Sequence, residues 1–325
     1  MLISRSFATG LLVIQSVFIF LVAIVVWKQN YNQPCPTNPP QEETSTRGVS
    51  SQFVTQNNLI LGVALSLPIT VVSHFAQSAR LTCRSCIISL FIHKHESENR
   101  DFVDLAHIYD IQWLVYEEFD VSARYYEPSN IIRRIRWLLF NTYFNNLVKQ
   151  SVYILDVFIT DVADVTFQTN IFAHTETSDK GLYIFNENPP VLVGTVPEYR
   201  ESLIACFDAK VAKRLARKTS FSSSAIIGSW GSIQSYAATI SNLIVNHEEN
   251  PCSAFPNDNH FHFYAIYVTD LSSRTKIYRI PQETSFIALR ANESTLVRNG
   301  FGLSLNPNGT IFAVVQSKCE QKKLK

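Results

Sequence analysis

Residues 152–160 (VYILDVFIT) form an apolar run that stops at Asp161, with Asp164 three positions further on. A short run rich in β-branched and aromatic residues reads as a buried strand. The segment before it, residues 128–147, places Ile131, Ile135, Leu138 or Leu139 and Tyr143 at helical spacing behind a Ser129 or Asn130 N-cap. Strands and helices alternate in this way along the chain, which predicts an α/β domain with a mainly parallel, Rossmann-like sheet. Further strands are expected over 59–67, in the run CIISLFIH (86–93) within 81–93, and over 111–116, 181–187, 266–269, 276–280 and 310–315, and helices over 101–109, 201–217 and 232–247. Ligand chemistry in such sheets gathers beyond the carboxyl ends of the strands, where Asp161 and Asp164 fall.

Residues 10–27 (GLLVIQSVFIFLVAIVVW) carry no charge. As a helix they span about 27 Å, close to a hydrocarbon core of about 30 Å. The run exceeds the apolar region of a cleaved signal peptide, ends on bulky Val26 and Trp27, and is followed by no small-x-small site. It is therefore expected to be a retained transmembrane signal-anchor, with residues 1–9 as a cytoplasmic tail. Residues 28–56 hold Pro34, Pro36, Pro39 and Pro40 and few large apolar side chains, the composition of a stem. A folded domain is expected over 57–318, and a basic tail over 319–325. A long segment behind a single N-terminal anchor predicts a type II protein with its bulk in the Golgi or ER lumen. The six cysteines, and the sequons at Asn292 and Asn308 that would make it a glycoprotein, are compatible with that compartment.

The chain of 325 residues balances 28 Lys and Arg against 27 Asp and Glu. It lacks the basic excess of a generic nucleic-acid binder, and the basic tail reads as solvated. No P-loop, kinase motif set, HExxH sequence or G-x-S-x-G elbow is present.

Residues 154–172 (ILDVFITDVADVTFQTNIF) resemble the V-L-L-T-D-x-R-D-V-x-F-Q-x-x-P-F segment of GT-A-type nucleotide-diphospho-sugar transferases. Asp161, Asp164, Val165, Phe167, Gln168 and Phe172 match it. Residues 222–236 (SSSAIIGSWGSIQSY) resemble the family's S-G-T-x-I-G-S-x-x-x-x-x-Y segment, through Ser223, Ile227, Gly228, Ser229 and Tyr236. Residues 257–263 (NDNHFHF) look like a degenerate D-Q-x-x-H-N segment that keeps its acid as Asp258. Arg133, Arg136 and Trp137 resemble the basic and aromatic residues on the helix before the acidic motif. The likeness covers residues 58–316 or so.

The resemblance implies a GT-A-like single domain that moves a hexose-type sugar from a nucleotide-diphospho-sugar donor to a glycan, lipid or protein acceptor. Asp161 and Asp164 would hold Mn²⁺ or Mg²⁺, hard ions that prefer oxygen ligands and neutralise a leaving diphosphate. Arg133 and Arg136 would contact the donor, and Ser223 and Gly228 would allow close approach of donor or acceptor. Asp258 would act at the catalytic centre by orienting sugar or acceptor.

Four positions depart from the family pattern. Ala163 replaces an Arg, residues 170–172 (NIF) lack a proline, Asn259 replaces a Gln, and Gln316-Ser317 stands where a His-Gln pair is common. These changes keep open an alternative: a catalytically inactive, membrane-anchored binding protein on the same fold. Other residues read as structural. Asp156 is expected to face a polar partner inside its strand, and His260 and His262 to share a strand face. Cys83 and Cys86 are expected to be core thiols or a structural disulfide.

Overall fold

The computed structural model describes residues 57–118, 132–175, 181–187, 189–247, 252, 255, 257–291 and 295–317. All of them belong to the compact unit Val54–Lys325. The expected cytoplasmic tail, anchor, stem and basic tail, together with Asn292, lie outside the described residues. Among the described residues, no helix is long and apolar enough to cross a membrane.

Strand β1 (Asn57–Val63) sends Leu59 and Leu61 into one apolar core and Ile60 into the other, so it is buried on both faces. The chain then runs through helix α1 (Ile69–Thr82) into β2 (Ile87–Ile92), and through helix α2 (Arg100–Tyr109) into β3 (Ile111–Val115). These strands are parallel to β1. Helix α3 (Ile132–Lys149) leads to β4 (Ile154–Thr160), which pairs in parallel with the other side of β1. There follow β5 (Val165–Phe167), β6 (Gly181–Asn186), helices α4 (Pro197–Cys206) and α5 (Ala209–Leu215), and β7 (Phe221–Ser229). Helices α6 (Trp230–Asn246) and α7 (Asn259–Tyr267), then strands β8 (Lys276–Ile280), β9 (Ile287–Ala291) and β10 (Val314–Ser317), complete the described fold.

The main sheet has the order β3-β2-β1-β4-β7-β6-β8, and in it only β7 runs against its neighbours. The expected α/β class and mainly parallel sheet are what forms. Helices α1 and α2 place Phe75 and Phe102 on one face, while α3 and α6 place Phe140, Phe144, Ile233 and Tyr236 on the other. A small second sheet, β5-β10-β9, starts just beyond β4. Its antiparallel pairing sets Gln316 opposite Val165, beside the acidic turn.

Gly62 explains itself by contact. A Cβ there would lie 2.7 Å from Val162 Cγ2 and 3.1 Å from the Thr160 carbonyl, so only glycine lets β1 lie this close to the end of β4.

Several local expectations change. Helix α1 occupies a stretch the sequence pattern leaves unassigned, although Val72, Phe75, Ala76 and Ala79 recur on its buried side. Cys83 and Cys86 are disulfide-bonded between α1 and β2, and the apolar run that Cys86 opens forms β2 from Ile87. The helix expected over 201–217 breaks in two, because Asp208 caps a new helix by accepting from the Val211 N–H at 2.7 Å. Residues 266–269 are not a strand: residues 266 and 267 are the last turn of α7. The serine-rich segment around Ser222 is strand β7, stabilised by burial of Ala225, Ile226 and Ile227.

Candidate functional site

The loop after β4 leaves the sheet at its carboxyl edge and opens onto a cavity of about 380 Å³. Asp161 and Asp164 both line it, with Arg133 and Arg136 from α3, Ser222 to Ser224 from β7, Asn259 from α7, Arg290 from β9 and Gln316 from β10. Residues spread over more than 180 positions of sequence meet here because β4, β7 and the small sheet share one edge.

Arg136 is the hub. Its Nη1 donates to Asp161 Oδ1 at 2.7 Å, its Nη2 to Asp258 Oδ2 at 2.8 Å, and Nη2 also reaches Ser223 O and Oγ at 3.1 Å. The side chain is 7% exposed. Burial opposes its charge, but Asp258 and Asp161 reverse that effect and raise its pKa above the usual arginine value.

Asp258 lies beneath the cavity and lines no part of it. It is 1% exposed, accepts from Trp137 Nε1 and Ser223 Oγ at 2.8 Å, and sits 3.2 Å from His262 Nε2. Burial acts to raise its pKa, yet the Arg136 charge and His262 hold it well below the usual carboxylate range. The carboxylate is buried beneath the cavity wall and meets the cavity-lining residues Arg136 and Ser223. His262 is held neutral by burial, and its Nδ1 is hydrogen-bonded to the Tyr236 hydroxyl. His260 and His262 sit on helix α7, so the expected common strand face does not exist.

Asp161 keeps an exposed edge. Its side chain is 35% exposed, and among the described residues Oδ2 accepts one bond, at 3.2 Å from Gln316 Nε2. Gln316 in turn accepts from Ser224 Oγ at 2.9 Å. Asp164 is exposed and takes a left-handed backbone (φ 60°), a conformation that Asp tolerates better than most residues. Its carbonyl accepts from the Ser317 N–H at 2.8 Å, which fastens the turn to β10.

The other motif residues build the frame. Phe167 and Phe172 are buried, and Gln168 bonds Ser304 and Phe312 backbone groups, locking the small sheet to the loop before β10. Ser223 lies in the cavity wall. Gly228 does not: it pairs with Val157 and Leu182 inside the sheet, and a Cβ there would meet the Gly181 carbonyl at 2.5 Å. Its close approach is to a neighbouring strand and not to a ligand. Arg133 is exposed at the cavity wall, whereas Arg136, three positions on, is buried. Arg290 was invisible to motif reasoning. Its signal is an exposed, charged, positive-φ residue (φ 47°) within an otherwise buried strand.

Asp161 and Asp164 give two hard oxygen donors on one cavity, the ligand chemistry of Mg²⁺ or Mn²⁺. Arg133, Arg136 and Arg290 balance them and Asp258 in charge, so an ion arriving together with a diphosphate leaves the cavity near neutrality. Carboxylate oxygens are the donor type that suits such an ion. Cys206, Cys252 and His260 also cluster with metal-ligand spacing, but Cys206 and Cys252 are joined as a disulfide and cannot serve as thiolates.

No family model and no curated protein matches the chain. Among solved structures, the chain is similar to core-mannan synthase A (CmsA/Ktr4) of Aspergillus fumigatus in its Mn/GDP form. The identity is 12%, 76% of this chain and 81% of that chain are covered, and the TM-score is 0.40. It is also similar to the galactosyltransferase LgtC in complex with donor and acceptor sugar analogues, at 12% identity, 80% and 86% coverage and a TM-score of 0.40.

Proposed function

We propose that the chain is a divergent GT-A-type glycosyltransferase that moves a hexose-type sugar from a nucleotide-diphospho-sugar to a glycan, lipid or protein acceptor. The observation that carries this reading is that Asp161 and Asp164, matched to the family's acidic motif, line the same cavity as Arg133, Arg136 and Arg290. Asp161 and Asp164 would hold the divalent ion, which would supply positive charge against a leaving diphosphate. Arg133 and Arg290 place fixed positive charge where phosphate oxygens would lie. Arg136 orients Asp161, and Asp258 fixes Arg136. Ser223 and Asn259 shape the floor, with the Ser223 hydroxyl oxygen 3.1 Å from the Asn259 side-chain amide.

Thermal-shift titration with UDP- and GDP-sugars, with and without Mn²⁺, tests donor binding. A metal-dependent rise for at least one nucleotide is expected; no response to any of them contradicts the proposal.

A second reading, a nucleotide-sugar-binding or glycan-binding protein without turnover, has one observation in its favour. Gln316 turns an amide N–H toward Asp161, where the family commonly places a histidine. Donor hydrolysis or transfer across a broad acceptor panel separates the two readings. Placement behind a type II anchor in the Golgi or ER lumen belongs to the same proposal. It is supported by the apolar run at 10–27 and by the two disulfides, Cys83–Cys86 and Cys206–Cys252, which favour an oxidising compartment.

A further inference from the structure

Two cavities flank β4, one of about 380 Å³ at its carboxyl edge and one of about 490 Å³ at its other end. In the wall of the first, β7 and β10 meet the acidic turn in a closed circuit of hydrogen bonds. The Asp161 N–H donates to the Ser224 carbonyl at 2.9 Å. The Ser224 hydroxyl lies 2.9 Å from Gln316 Oε1, and Gln316 Nε2 lies 3.2 Å from Asp161 Oδ2. The circuit begins and ends on Asp161.

The proton positions follow from the groups themselves. The Asp161 carboxylate, ion-paired with Arg136, only accepts, so Gln316 turns its NH₂ to Asp161 and its carbonyl oxygen to Ser224. Ser224 then spends its proton on Gln316. The Ser222 hydroxyl, 2.6 Å away, is left to donate to Ser224 Oγ, and it also accepts the Ser224 N–H at 3.2 Å. Each bond in such a chain polarises the next.

Asp161 needs a second anchor. Arg136 Nη1 holds Oδ1 at 2.7 Å. Alone, that bond lets the carboxylate turn about its Cβ–Cγ bond and bring both oxygens to the guanidinium, a pairing that arginine favours. The Gln316 N–H fixes Oδ2 on the other side, and an ionised oxygen keeps a further lone pair for a second contact. Burial does not force this circuit. Ser224 and Gln316 are only partly buried at the cavity wall, where water could serve them instead.

We propose that Ser224, acting through Gln316, is a positioning residue for Asp161. The serine sets which face of the amide meets Asp161, and the amide holds Oδ2 ready for a divalent ion. The inference rests on the ion-binding part of the transferase reading and extends it to residues outside the acidic motif.

The test is titration of the full chain in detergent with Mn²⁺ in the presence of UDP or GDP, read from the EPR signal of the free ion. Ser224→Ala and Gln316→Met are each expected to weaken Mn²⁺ binding about ten-fold or more, the usual effect of losing a group that orients a metal ligand. The double variant is expected to bind no more weakly than the worse single one, because both changes cut the same circuit. Ser224→Thr keeps the hydroxyl and is expected to bind as the wild type does. Ligand-free Tm, measured beside each titration, shows that the variants fold; where Ser224→Ala does not, Gln316→Met and Ser224→Thr decide. Wild-type affinity in Ser224→Ala and Gln316→Met, additive losses in the double variant, or a loss in Ser224→Thr as large as in Ser224→Ala overturns this inference and leaves the ion site standing. No Mn²⁺ binding by the wild type overturns the ion site and this inference together.

Discussion

Arg136 and Asp258, 122 residues apart in sequence, form a buried ion pair at 2.8 Å under the floor of the first cavity. The pair gives Arg136 a fixed orientation, and the free end of its guanidinium then holds Asp161 at 2.7 Å. Asp258 thus influences the acidic turn without touching the cavity. Trp137, next to Arg136 on α3, donates to the same carboxylate oxygen, so one helix turn addresses Asp258 with two side chains.

Asp258→Asn is predicted to destabilise the fold by about 3–5 kcal/mol, because it leaves Arg136 buried without its main counter-charge. Urea denaturation at pH 7 measures this. A loss below about 1 kcal/mol would show that the pair is not the anchor described here.

Acid sensitivity has a defined source in His260. Burial, reinforced by the Arg134 charge, lowers its pKa to about 3. The unfolded chain takes up this proton near pH 6.5, while the folded chain resists it. The contribution is therefore fully present above about pH 6.5 and is lost as the pH falls toward 3, at up to about 1.4 kcal/mol per pH unit. His260→Gln is predicted to make the dependence of unfolding free energy on pH shallower by about that slope between pH 4 and 6. Parallel profiles for the two proteins would contradict the assignment.

Gly228→Ala brings a methyl group to 2.5 Å from the Gly181 carbonyl, in the middle of the β4-β7-β6 ladder. Backbone cannot yield as a flexible side chain does, and a cost of about 2 kcal/mol or more is expected. Calorimetry reads this as a lower Tm. An unchanged Tm would mean that the strands separate without penalty.

The Cys206–Cys252 disulfide closes a segment with a sequence separation of 46 that contains β7 and α6. In the chain-entropy description such a loop contributes about 4 kcal/mol. Paired Cys206→Ala and Cys252→Ala substitutions are predicted to lower stability by a few kcal/mol, measured by denaturation of the oxidised wild type beside the variant.

The parallel strands were legible because each is a local apolar run with one meaning. The position of Asp161 and Asp164 followed from the strand that ends on them. What escaped depended on distant partners. Asp258 reads as a loop acid until α3 is brought over it, and Gly228 reads as a ligand contact until β6 is laid beside it. Strand β7 was hidden by its serines, which line the first cavity and pair with each other and with Asp258. Arg290 reaches the first cavity only because the second sheet folds back on the acidic turn. None of these is a periodicity, so no window along the chain displays them.

The most direct test of the central claim is the nucleotide-induced thermal shift of the wild type beside Asp161→Asn and Asp164→Asn. Each titration is run with UDP and GDP, with and without Mn²⁺. The account predicts a Mn²⁺-dependent rise in Tm for the wild type that disappears in both variants while their ligand-free Tm stays close to that of the wild type. A rise that persists unchanged in both variants contradicts the assignment of Asp161 and Asp164 as the ion's ligands.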